Sequence, residues 1–231
     1  MSTQTLSLPD TTIGKKVLMA VSGVVLFGFL IGHMAGNLQV FLGHQAYNEY
    51  AKFLHDTPTL LWGTRGVLLL MVLVHIVAAV QLVKANADAR PVAYKMKKSI
   101  ASTYASKTMK ISGPLLLAYI IYHLAHFTFG VTAGLGYEHL PPDPEGLPNV
   151  YFNVVSSFQI PWLVGVYAVA QVLLGLHLYH GAWSVLQSLG INHRRYNLQM
   201  RGAASAFALA IVVGFLAVPF GVLFGLVNPA G

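Results

Sequence analysis

The stretch Phe29–Gly43, FLIGHMAGNLQVFLG, sets a histidine, an asparagine and a glutamine into what is otherwise an apolar helix. His33 decides how the chain is read. An imidazole hydrogen-bonds, titrates and ligates metals, and in hydrocarbon it is costly unless it has something to bind. The same feature returns at His75, His123 and His180, each inside a further apolar run.

Composition fixes the class. Of 231 residues, 55% are hydrophobic and 9% charged, with a mean hydropathy of +0.63, which excludes an ordinary soluble domain. A bilayer core about 30 Å thick needs roughly 20 apolar residues at about 1.5 Å each. Five runs meet that need, near 17–42, 60–83, 111–133, 160–189 and 203–227. The expected fold is therefore an all-α integral membrane protein, a single membrane domain over 1–231 with five transmembrane helices. The first four would form a cofactor-binding bundle, and the fifth, with no ionisable residue, would close it.

Cysteine is absent. That excludes disulfides, thiolate metal sites, iron–sulfur clusters and covalently attached haem. The first run is too long for a signal-peptide core and no small-residue cleavage site follows it closely, so it reads as a retained helix.

The net charge of +7 would suggest nucleic acid until the charges are placed. Lys15 and Lys16 precede the first helix. Lys84, Arg90, Lys95, Lys97, Lys98, Lys107 and Lys110 flank or fill the second connection, and Arg194, Arg195 and Arg201 the fourth. Only Lys52 and Arg65 fall on the other side, a split of 12 to 2. The positive-inside rule then predicts a cytoplasmic N-terminus and an external C-terminus in a bacterial-type cytoplasmic membrane. The basic balance is mainly topology, not nucleic-acid binding, though a basic face also suits an acidic partner.

Between the helices, Asp10-Thr11-Thr12 offers a helix cap, and Gly28, Gly32 and Gly36 form a small-residue stripe suited to close helix packing or to a planar cofactor beside His33. His44–Thr57 is amphipathic and predicts an interfacial helix ending at Pro58. Segment 134–159, rich in Pro and Gly, predicts a loop with no fold of its own. His123 and His126 share a helix face, as do His177 and His180, because i and i+3 positions are neighbours.

Helical rise converts position to depth. His33 lies about 27 Å and His123 about 20 Å from the inner end, whereas His75 and His180 lie about 14 and 15 Å from it. Two outer and two inner histidines, one per helix, suit two haems stacked in a four-helix bundle, each iron taking an imidazole on either face. The two levels would differ by about 10 Å. Depth leaves His123 and His126, and His177 and His180, unseparated.

The stretches GHMAGNLQVFLG with AYNEYAKFL after it, ASKTMKISGPLLL leading to YHLAHFTFG, and HLYHGAWSVLQSLGINHRRYN resemble the single large cytochrome b subunit of five-helix, di-haem succinate dehydrogenases and fumarate reductases. The likeness runs over essentially the whole chain. It implies axial ligands at His33, His75, His123 and His180, with His33 and His123 around an outer haem b and His75 and His180 around an inner one. His126 and His177 are left as contacts to a haem propionate, a water or a quinone, or as satisfied helix–helix contacts. Some members carry a glutamate where this chain has Leu178, so a proton path through that acid is not carried over.

The resemblance further implies a flavoprotein subunit and an iron–sulfur subunit docked on the cytoplasmic side, and a quinone substrate, menaquinone by the di-haem form. Asn37, Gln39, Tyr47, Glu49, Arg65 and His126 are the polar candidates beside the quinone. Three other readings stand beside this one, the plainest a structural anchor without haem, which would leave four depth-matched histidines without purpose. A di-haem cytochrome of another quinone-linked oxidoreductase shares the histidine logic but not the quoted stretches. A transporter with a histidine proton relay predicts acids near midplane, and none of the five apolar runs holds Asp or Glu.

Overall fold

The computed structural model describes residues 7, 10–89, 103–130, 136–143, 145–191 and 193–228. Among these residues the regular structure is entirely helical. Five helices are long and apolar enough to cross a membrane, and the chain is a multi-pass, all-α membrane protein.

Helix α1 (Thr12–Leu38) is capped by Thr11, whose hydroxyl accepts the Gly14 N–H, and runs on as a 3₁₀ turn over Gln39–Leu42. Helix α2 (His44–Asp56) follows, and Pro58 opens α3 (Pro58–Asp88), where its missing N–H is harmless in the first turn. Its 31 residues rise about 45 Å, more than a bilayer core requires. Helix α4 (Tyr104–His123) starts earlier than the apolar run because Thr103 caps it, accepting the Ser106 N–H, and it widens into a π turn over Leu124–Thr128. After α5 (Val150–Phe158) come α6 (Pro161–Ser188), a 3₁₀ turn at Arg194–Tyr196, and α7 (Asn197–Leu223). Both α6 and α7 stop in Schellman motifs, with Gly190 and Gly225 at φ 76°. The Ile191 N–H reaches back to the Leu186 carbonyl, and that of Leu226 to Gly221, closing orphaned carbonyls that only a left-handed residue lets the chain turn onto.

Segment 134–159 departs from the expected structureless loop. Its second half is α5, and the side chains of Tyr151, Val154, Val155 and Phe158 are buried. Asn48 of α2, itself buried, accepts the Tyr151 N–H at 2.9 Å and ties the two short helices together. They cap the end of the bundle where α1 stops and α6 begins, called here the His33 end. Arg90, Lys95, Lys97 and Lys98, and the expected tail of the third span at 131–133, lie outside the described residues.

The pairing of long helices is uneven. The α6–α7 and α1–α3 pairs pack most extensively, α4 packs on α6, and α1 also touches α6 and α7. Small residues permit this: a Cβ on Gly214 of α7 would collide with the Met34 sulfur on α1, and one on Gly175 of α6 would lie 2.7 Å from Val212 of α7. Neither α1 and α4, α3 and α6, nor α3 and α4 form a packed pair. Only Ala78 and Leu82 of α3 are buried, so its long apolar surface is left for lipid.

Candidate functional site

Those unpacked diagonals are bridged by histidines. On α1 the His33 ring stacks on Phe29, one turn earlier, with centres 5.2 Å apart. It meets His123 of α4 at 5.8 Å, with the planes at 82°. The Asn37 side chain donates to the His33 carbonyl at 2.7 Å, which fixes the local backbone without occupying the imidazole. His123 ends α4, lies against Tyr119 at 5.9 Å, and places Nδ1 3.4 Å from the Tyr167 hydroxyl on α6.

The second diagonal joins α3 and α6. His75 Nδ1 lies 3.2 Å from Ser22 Oγ on α1. The Ser22 hydroxyl has one proton, and the Leu18 and Met19 carbonyls at 2.8 and 3.0 Å take it, so the Ser22 oxygen accepts from His75. His75 is therefore protonated on Nδ1 and keeps a lone pair on Nε2, the state a metal ligand needs. The ring that faces His75 is His177, at 6.2 Å and 51°. His177 Nδ1 is buried without a hydrogen-bond partner among the described residues. His180, one turn further along α6, is partly buried, and no ring contact or hydrogen bond joins it to His75.

Ser22 lies eleven residues before His33 on α1, so the two pairs are about 16 Å apart in level. That exceeds the spacing of about 10 Å expected from sequence depth.

The residues present fit a bis-histidine haem. Two metal–nitrogen bonds of about 2 Å, with the half-width of each imidazole, put opposing ring centres about 6 Å apart. His33 with His123 and His75 with His177 stand near that spacing, whereas His180 makes no ring contact with His75. The histidines come in pairs, and among the described residues no three His, Asp or Glu side chains gather to hold a bare ion. A pair suffices where a macrocycle supplies the other four nitrogens. Beside His33, a Cβ on Gly28 or Gly32 would meet nothing within 4 Å, so these two glycines do not serve close packing with another helix, whereas one on Gly36 would strike the Tyr50 ring at 2.8 Å.

His126 has other partners. It is fully buried in the π turn, with Nδ1 2.9 Å from the Tyr167 hydroxyl and Nε2 3.1 Å from Ser157 Oγ on α5. Of the other polar candidates, Tyr47 reaches Asn37 at 3.5 Å, Gln45 donates to Glu49 at 3.0 Å, and Arg65 lies over Trp62 at 4.9 Å. Burial, with Tyr50 nearby, raises the Tyr47 phenol above its ordinary range, so it stays a neutral donor. Gln39 opens the 3₁₀ turn.

Tyr167 and Ser157 were not marked by the sequence reading. The signal for Tyr167 was present, a hydroxyl inside the apolar run PWLVGVYAV. Ser157 gave none, because its role depends on α5.

Comparison with protein-family models, curated proteins and solved structures finds no match for this chain. The fold and site define the class as a polytopic helical membrane protein with paired intramembrane histidines.

Proposed function

We propose that the chain is the membrane-anchoring cytochrome b subunit of a succinate:quinone oxidoreductase, a succinate dehydrogenase or fumarate reductase. Two b haems would be held by His33 with His123 and by His75 with His180. The observation that carries this reading is the facing of His33 and His123 across the unpacked α1–α4 diagonal; across α3–α6 the ring facing His75 is His177, one turn from His180. When bound, haem supplies one-electron carriage, here between an iron–sulfur partner and a membrane quinone, menaquinone by resemblance.

The chain's own residues bind and orient. Ser22 holds the His75 tautomer, Phe29 and Phe215 flank His33, and the α2–α5 cap covers the His33 end. Lys84, Lys107, Lys110, Arg194, Arg195 and Arg201 lie at the opposite ends of the spans, where they would set orientation and offer a basic face to the flavoprotein and iron–sulfur subunits.

A second ligand assignment has its own support. His177, not His180, faces His75, so His177 is the alternative fourth ligand. A transporter reading has less support, because the acids of α3 are confined to its terminal Asp88 and no Asp or Glu occurs in α1, α4, α6 or α7.

Adding succinate to membranes that contain the chain tests the function. The reading expects the b-type absorbance to show reduction, and a tagged chain to purify with a flavoprotein and an iron–sulfur protein. Haem that formate or hydrogen reduces but succinate does not would assign the chain to another quinone-linked complex.

A further inference from the structure

We propose that Tyr167, His126 and Ser157 form a one-directional hydrogen-bond relay that holds the proton of His123 on Nδ1 and so tunes this imidazole as an iron ligand. The inference rests on the haem reading above and adds positioning residues to it.

The chain of contacts is continuous. His123 Nδ1 lies 3.4 Å from the Tyr167 hydroxyl, that hydroxyl 2.9 Å from His126 Nδ1, and His126 Nε2 3.1 Å from Ser157 Oγ. Three separate elements, the π turn, α6 and α5, supply the three groups. Tyr167 is 5% exposed and His126 and Ser157 are 0%, so bulk water does not compete for them. π turns recur at functional sites, and this one begins directly after His123.

A neutral imidazole has one N–H, and a hydroxyl has one O–H. With the buried phenol proton spent within the relay, there are two consistent polarities. Either every group donates towards Ser157, or every group donates towards His123. In the second, the phenol donates to His123 Nδ1 and the ring proton sits on Nε2, which blocks a metal there. Ligation through Nε2 selects the first. His123 then donates to Tyr167, Tyr167 to His126, and His126 to Ser157. An acceptor on the far nitrogen makes a ligating imidazole a stronger donor and favours the oxidised metal.

The test is Tyr167→Phe in the full chain, read by haem content and by redox-titrated visible spectra. Two haems are expected to remain, with one midpoint raised by the equivalent of about a tenfold change in the ferric-to-ferrous ratio, 59 mV for one electron, and the other unmoved. Ser157→Ala leaves every group touching His123 in place and is expected to shift the same midpoint in the same direction by less. It supplies the readout if Tyr167→Phe loses a haem. Unchanged midpoints in a two-haem Tyr167→Phe protein would overturn the relay while leaving the haem reading intact. A wild-type chain without haem would overturn the haem reading instead.

Discussion

The imidazoles of His33 and His123 meet edge to face, 5.8 Å between ring centres, although the helices that carry them are not a packed pair. Aromatic rings surround the two, Phe29 and Phe215 on His33 and Tyr119, Phe127 and Tyr167 on His123. Hydrocarbon gives no reason to keep two polar rings facing each other in such surroundings, whereas a shared ligand does.

Replacing either ring follows directly. His33→Ala or His123→Ala is expected to drop the haem count by one per chain and abolish quinone turnover, while succinate oxidation through artificial acceptors persists in the assembled complex. Retention of both haems in either variant would show that the pair is not an axial pair.

On the other diagonal the proposed ligand and the facing ring differ. With His180 as ligand, His180→Ala loses one haem and His177→Ala keeps two. The reverse pattern, measured by haemochrome content of the two proteins side by side, would move the ligand to His177, whose ring lies 6.2 Å from His75.

In the α2–α5 cap the buried Asn48 amide accepts the Tyr151 N–H, beside the Tyr47 and His44 rings that pack on Tyr151. Asn48→Ala leaves the Tyr151 N–H without its acceptor, a loss of about 1–3 kcal/mol for a buried group. A lower thermal midpoint in detergent, together with faster proteolysis near α5, is the expected result. An unchanged melting curve would mean that the cap does not depend on this bond.

The 12 to 2 division of basic residues predicts a cytoplasmic N-terminus and an external C-terminus. A C-terminal alkaline phosphatase fusion is expected to be active and a C-terminal green fluorescent fusion dark. The opposite pair of results would invert the chain and put the basic ends outside.

The long helices and the intramembrane histidines were legible because hydropathy and helical rise are local properties of the sequence. The i, i+3 spacing showed that His123 and His126 share a face, and both reach Tyr167. What separates them was not legible. His126 is occupied by Ser157, and Ser157 is brought there by α5, a helix hidden behind the Pro- and Gly-rich residues that precede it. Nor could spacing tell that His75 would meet Ser22 and face His177, since that depends on how α3 and α6 stand about α1.

The most direct test of the central claim is a pyridine haemochrome assay on the purified full chain, reported as haem b per polypeptide. The account predicts two, resolved into separate midpoints by redox titration. A folded chain that carries none, when expressed with haem in supply, would contradict it.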